Sequence, residues 1–272
     1  MGIWENKTAI VTGGGSGIGR ALCLALSKRG VRVLVTDVDA ASAQKAATEC
    51  GGKATAAALD VRDAAAVRAC VEGFAGEQGR LDFMFNNAGI AVAGESNEIP
   101  LAEWQRVIGV NVHGVLHGVL AAYPIMLRQG HGHIVNTASL AGLGPAPLAA
   151  PYALSKHAVV GLSASLRIEA ASRGVRVSAL CPAAIETPLL DSENPKEIAW
   201  APNMRRFLTA LAGPPYPVEK CAEETLDAME RNVGVIVLPA RARLAWRIGR
   251  LSPALVEKIA LGAVARERAE RA

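Results

Sequence analysis

Short apolar runs recur along this chain, and between them lie longer stretches whose apolar residues return every three or four positions. The runs Thr8–Thr12, Val31–Asp37, Lys53–Val61, Leu81–Phe85, His133–Thr137, Val175–Cys181 and Val233–Leu238 read as strands. Helical spacing fills Arg20–Arg29, Ala40–Cys50, a segment capped by Asp63 and running through Gln78, about Leu101–Arg128, about Pro151–Arg173, and Val218–Arg231. Strands alternating with helices of this length predict an α/β fold: a doubly wound parallel sheet of about seven strands with helices on both faces. Ligands in such sheets bind beyond the carboxyl ends of the strands. Gly13 to Gly19, Asp37, Asp60, Asn86 to Gly89, Ser139 and Pro182 to Thr187 all fall at those ends.

The first of these ends is crowded with glycine. Gly13, Gly14, Gly15, Ser16, Gly17, Ile18 and Gly19 separate a strand from a helix in the spacing Gly-x-x-x-Gly-x-Gly. Without Cβ atoms the backbone amides can close on a ligand, and the helix aims its positive end at the same point. A pyrophosphate is the usual occupant. A glycine-rich corner with no ligand is the competing reading. Asp37 closes the second strand, twenty residues past Gly17, where a carboxylate can accept both hydroxyls of an adenosine ribose and repel a 2′-phosphate. Ser16 and Val38 supply no cation nearby. Asp37 therefore predicts NAD rather than NADP, against the alternative of a solvated strand-end carboxylate.

Size and composition narrow the picture further. The chain has 272 residues, 51% of them hydrophobic and 20% charged, which suits one large α/β domain and excludes a disordered chain. The net charge of +4 is uneven: residues 241–272 carry +5 and the first 240 residues −1. The basic character belongs to the tail, so it gives no case for nucleic acid. Five scattered cysteines without a Cys-x-x-Cys pair suit a reducing cytosol and argue against zinc or a disulfide framework. Met1 to Asn6 show no signal-peptide pattern, and Asn6 stands where myristoylation would want Ser or Thr. Val107 to Leu127 is free of charge and long enough to span a bilayer. It holds Asn111, His113, His117 and Pro124, and is read as a buried helix of a cytoplasmic protein.

Tyr152 and Lys156 lie four apart on a predicted helix and hence on one face. A neighbouring cation stabilises a phenolate and lowers its pKa, so Tyr152 can exchange a proton with a substrate oxygen while Lys156 tunes it. Ser139, at the end of the fifth strand, offers a hydroxyl to the same oxygen; a turn serine is the plainer reading. His113, His117 and His157 read as packed or interface residues, and no residue is assigned to a metal.

From about Lys7 to Leu238 the chain resembles the short-chain dehydrogenase/reductase family. The resemblance rests on Thr12-Gly13-x-x-x-Gly17-x-Gly19, Asp60, Asn86-Asn87-Ala88-Gly89, Asn111, Ser139 and Tyr152-x-x-x-Lys156. It implies a Rossmann-type fold with Tyr152 as acid/base, Ser139 positioning the carbonyl or alcohol, and Lys156 binding the nicotinamide ribose. It further implies that Asn111 holds a relay water, that Asp60 and Val61 meet the adenine, and that Asn87, Ala88 and Gly89 line the cofactor. Thr187 and the Ile185 backbone, beyond Pro182, would hold the carboxamide. One departure stands out: Ala183 replaces the glycine usual after that proline, and is strained if the turn needs positive φ.

The reading is thus an NAD-dependent oxidoreductase with a catalytic domain over 1–240, a substrate lid at about 186–216, and a basic amphipathic extension over 241–272. Ile90–Ala93, Leu140–Leu148 and the lid are poor in charge, which favours a hydrophobic secondary alcohol or its ketone. Arg205 and Arg206 are read as surface residues, with a substrate anion as the alternative. The helices over 101–128 and 151–173 would form a homo-dimer, often within a tetramer. For the extension, packing or covering a pocket is favoured over contact with an anionic membrane. A reductase of acyl-carrier thioesters and a non-catalytic NAD(H) sensor are the competing functions.

Overall fold

The computed structural model describes residues 4–270. The opening residues 1–3, read above for targeting signals, and residues 271–272 of the extension lie outside it. Seven strands form one sheet: β1 (Thr8–Thr12), β2 (Arg32–Asp37), β3 (Ala54–Ala58), β4 (Phe83–Asn86), β5 (Gly132–Thr137), β6 (Val175–Pro182) and β7 (Val235–Leu238). Their order is β3-β2-β1-β4-β5-β6-β7 and every pairing is parallel. The chain runs outward from β1 to β3, then returns to set β4 on the other side of β1. A crevice opens where that direction reverses, at the carboxyl ends of β1 and β4.

Successive strand residues serve opposite faces. Ala9, Val11, Val33 and Val35 join one core with α1 (Gly17–Lys28), α2 (Ala40–Glu49) and α8 (Val218–Glu230), through Leu22, Leu26, Ala46, Leu226 and Met229. Ile10, Leu34 and Ile134 join the other with α3 (Ala64–Gln78), α5 (Gly114–Gln129) and α6 (Ala150–Ala171), through Val67, Val119, Met126 and Leu166. Both faces are dry, which is why the strands carry continuous apolar runs.

Some boundaries moved. The predicted third strand reaches only Ala58, because its partner β2 ends opposite it at Asp37 and Leu59 N–H makes the last bond, to Asp37 O. The single long helix is interrupted: α4 (Leu101–Ile108) passes through a π-helical turn, Gly109–His113, before α5. This apolar stretch is long enough to cross a membrane, yet it buries Val115, Val119 and Met126 against the sheet. The lid folds a helix, α7 (Met204–Ala212). The extension forms two, α9 (Ala240–Leu251) and α10 (Pro253–Ala269), broken at Ser252-Pro253 where proline can start a helix but not continue one.

Candidate active site

Helix α1 begins at Gly17, earlier than the predicted Arg20, with Ser16 in extended backbone before it and the Ser16 hydroxyl unused by the cap. Its first intrahelical bond runs from Arg20 N–H to Ser16 O. The amides of Gly17, Ile18 and Gly19 therefore open past the helix end, as an anion requires. Gly13 (φ 61°) and Gly17 (φ 49°) adopt left-handed backbone. A Cβ on Gly13 would stand 2.8 Å from Ala88 Cα, and one on Gly17 would stand 3.3 Å from Thr187. The turn is thus clamped between the end of β4 and the segment after β6. Asn87 holds the clamp: its side chain donates to Thr12 O (3.1 Å) and Gly13 O (3.3 Å) and accepts from Thr137 Oγ1 (3.2 Å).

On the far side of the turn, Asp37 accepts the Gly15 N–H at 3.0 Å and the Asp39 N–H at 3.1 Å. Asp60 is bound to its neighbour Arg62, which holds its carboxyl below the usual carboxylate range. Val61 is buried against Gly114 of α5, and its carbonyl meets His117 Nδ1 at 2.9 Å.

Ser139, Tyr152 and Lys156 converge beyond β5 and β6. Ser139 caps a short 3-10 turn through Ala141 N–H and lies 3.4 Å from Pro182 O. Lys156 is buried; its Nζ donates to Thr137 O at 2.8 Å and stands 5.4 Å from the centre of the Tyr152 ring. Burial pushes the Tyr152 phenol up, while a hydrogen bond with Ser139 pulls it partly back. Burial also lowers Lys156 from 10.5 to about 8. The expected lowering of the phenol by Lys156 is not found: loss of water dominates, and Ser139 supplies the one opposing influence.

Asn111 sits in the π-helical turn. Its side chain is fully engaged: Oδ1 accepts Ile90 N–H at 2.9 Å, and Nδ2 donates to Ile90 O at 2.9 Å and Ser155 Oγ at 3.0 Å. A Cβ on Gly89 would be 3.4 Å from both Asn111 Oδ1 and Lys156 Nζ, so Gly89, Asn111 and Lys156 form one cluster.

A family model described as short chain dehydrogenase matches residues 7–198. The chain belongs to the short-chain dehydrogenase family. It is 39% identical over 193 residues to cyclohexanol dehydrogenase of Acinetobacter sp. (strain SE19), covering 69% of this chain and 76% of that one. Levodione reductase of Leifsonia aquatica is 37% identical over 209 residues, covering 72% and 78% respectively. A solved short-chain dehydrogenase/reductase from Burkholderia phymatum, in complex with NAD, superposes with a TM-score of 0.84 at 31% identity. That superposition covers 94% of this chain and 96% of the other.

In this short-chain dehydrogenase the turn after β6 keeps its shape without glycine. Ala183 is absent from the positive-φ residues and donates its N–H to Leu238 O at 2.8 Å. Beyond it Thr187 Oγ1 bonds Ile185 O at 3.3 Å, and Ile185 is pinned beside Tyr216. Val92, Ile99, Val107 and Ile198 make a separate apolar cluster on which Ile90 packs, and Asn194 Oδ1 ties the lid to Ala93 N–H at 2.8 Å.

Sequence reasoning missed several of these parts. Leu148 takes left-handed backbone (φ 61°) just before α6 and gives its carbonyl to Gly94 N–H at 2.8 Å. Such a conformation costs a leucine about 1–2 kcal/mol, and nothing in its local sequence signals it. Asn194 and Cys181, the latter buried beside Lys156 and Ser139 with its thiol pushed up to about 12, are equally silent in sequence. Arg205 pairs with Glu186 and Asp191, and Arg206 with Glu267 and Glu270, so neither is left to face a substrate anion. His117 is half-buried, while His113 at the end of the π-helical turn and His157 on α6 lie exposed rather than packed within the chain.

Proposed function

We propose that this enzyme interconverts a hydrophobic secondary alcohol and its ketone with NAD. The observation that carries the reading is the meeting of Ser139, Tyr152 and Lys156 beyond β5 and β6, with the glycine turn and Asp37 along the same edge of the sheet. The residues fit a dinucleotide. The open amides of Gly17, Ile18 and Gly19 suit a pyrophosphate, and the Asp37 carboxylate suits an unphosphorylated ribose. Gly13, Gly15, Ser16, Asp60, Val61, Asn87, Ala88 and Gly89 would line that groove, with Pro182, Ile185 and Thr187 at the nicotinamide end. When bound, the cofactor supplies or accepts the hydride at its nicotinamide C4.

Ser139 and Tyr152 hold the substrate oxygen between two hydroxyls. Tyr152, kept protonated by burial, donates to the oxygen of a ketone and recovers the proton from an alcohol. The Lys156 ammonium, when charged, favours the phenolate that oxidation requires. Because the Asn111 side chain is occupied, a relay water at Lys156 would rest on a main-chain carbonyl, which a π-helical turn leaves without its usual partner. The names of the two relatives, a cyclohexanol dehydrogenase and a levodione reductase, favour a cyclic alcohol or ketone. Exposed Leu120 on α5, with Leu154 and Ile168 on α6, supports a homo-dimer through these helices. Five free cysteines suit a reducing cytoplasm.

The test is turnover of cyclic and linear secondary alcohols with NAD and with NADP. Faster turnover of the apolar members with NAD is expected. Turnover confined to small polar alcohols would sink the substrate reading, and NADH binding without any turnover would favour a sensor.

A further inference from the structure

Past the family-matched residues 7–198, the chain ends in two helices with sharply divided faces. The inner side of α9 carries buried Ala242 and Trp246, which packs on the core, while Gly249 lies against Val256 of α10. The inner side of α10 buries Glu267, which accepts Asn203 N–H at 3.1 Å and Arg206 Nη2 at 2.7 Å. It also borders a crevice of about 300 Å³ with Pro145 and Pro147. These contacts fix the hairpin to the lid and to the loop before α6.

The outer side has no such neighbours. Leu244, Ile248 and Leu251 repeat at helical spacing on α9, and Leu255 and Ile259 continue on α10, each between 45% and 88% exposed. Arg250 runs beside the α9 stripe, and Lys258 and Arg266 share the outer side of α10, while Arg243 and Arg247 turn toward α8 and line a crevice of about 250 Å³ with Glu224 and Asp227. The ion pairs of the extension among the described residues are Arg206–Glu267, Arg206–Glu270 and Arg268–Glu95. The three outer cations Arg250, Lys258 and Arg266 therefore form no ion pair there, and Arg250 lies over the Trp246 ring instead.

We propose that the outer face of the α9–α10 hairpin docks on an anionic lipid bilayer. Leucine and isoleucine side chains flanked by unpaired arginines match the two layers of such a surface, acyl chains beneath phosphate headgroups. A second copy of this chain is a poorer occupant, since a two-fold contact would set the arginine-lined face against itself.

Co-sedimentation of the full chain with phosphatidylcholine vesicles, with and without phosphatidylglycerol, tests this. Binding to the anionic vesicles and loss on raising salt are expected. Lys258→Ala with Arg266→Ala should lower partitioning roughly tenfold or more, and Ile248→Glu with Leu251→Glu should abolish it. Circular dichroism and turnover of a water-soluble alcohol should remain at the wild-type level in both. Absence of binding at low salt overturns the proposal, as does binding that survives the two glutamates. A drop in oligomer size for Ile248→Glu, without vesicle binding by the parent, would assign the face to a second copy.

Discussion

Lys156 Nζ stands 5.4 Å from the centre of the Tyr152 ring while giving its hydrogen bond to the Thr137 carbonyl. The ammonium is thus held by the end of β5 and presented to the phenol ring, not spent on the phenol oxygen. Tyr152→Phe removes the hydroxyl and leaves this mooring intact. We expect kcat to fall by roughly 10²–10⁴-fold, the usual scale for a lost general acid/base, with cofactor affinity nearly unchanged by fluorescence titration. Retained activity would show that another group moves the proton.

The same lysine makes stability depend on pH. Its folded pKa of about 8 lies below its ordinary 10.5, so between these values the unfolded chain binds more protons and stability rises with pH. Below about 8 the burial of the charge is a full penalty. The melting difference between wild type and Lys156→Met should therefore shift toward the wild type from pH 7 to 10. A pH-independent difference would contradict the depressed pKa.

His133 is buried beside Ser178 Oγ at 2.8 Å, and burial lowers it from 6.5 to about 3. It stays neutral in the fold and charges in the unfolded chain, so stability falls as pH drops below 6.5. His133→Gln keeps a polar partner for Ser178 without the titration. Its urea midpoint should lose less than that of the wild type between pH 7 and 5, on the order of 1–2 kcal/mol in total.

The two glycines of the cradle should differ in kind. A Cβ on Gly19 would lie 2.0 Å from Gly13 O, whereas one on Gly17 meets only Thr187 at 3.3 Å, although Gly17 is left-handed (φ 49°). Gly19→Ala should destabilise the whole domain by thermal melting. Gly17→Ala should fold and weaken NAD binding by about tenfold, near the 1–2 kcal/mol of a left-handed alanine. Equal effects would dissociate the cradle from the cofactor.

Asp37 stands beside exposed Val38, and its carboxylate is held by the Gly15 and Asp39 amides. Asp37→Ser with Val38→Arg removes the repulsion and adds a cation for a 2′-phosphate. The ratio of kcat/KM for NADP over NAD should rise roughly 100-fold or more, about 3 kcal/mol by the usual conversion. An unchanged ratio would assign ribose selection elsewhere.

The alternation of apolar runs and helices settled the doubly wound sheet, because strands buried on both faces leave no polar positions to confuse the period. The glycine turn, Asp37 and the Tyr152–Lys156 spacing were legible for a related reason: each acts through backbone freedom or local helical geometry. The π-helical turn at Asn111 was not legible, since its register depends on Asn111 reaching Ile90 and Ser155 across the sheet edge. Nor was the left-handed Leu148, held by contacts rather than by its own preference.

By itself the sequence determined in what order the elements follow and which candidate residues stand at the ends of the strands, since both are written in near neighbours. Only the tertiary structure decided how the charges are used. Arg205 and Arg206 close on lid and tail carboxylates, Lys156 is stripped of water, and Arg250 rests on the Trp246 ring instead of a carboxylate. Desolvation and ion pairing depend on residues well beyond one helical turn meeting in space, 14 positions apart for Arg205 and Asp191 and 61 for Arg206 and Glu267, and no local pattern encodes that distance.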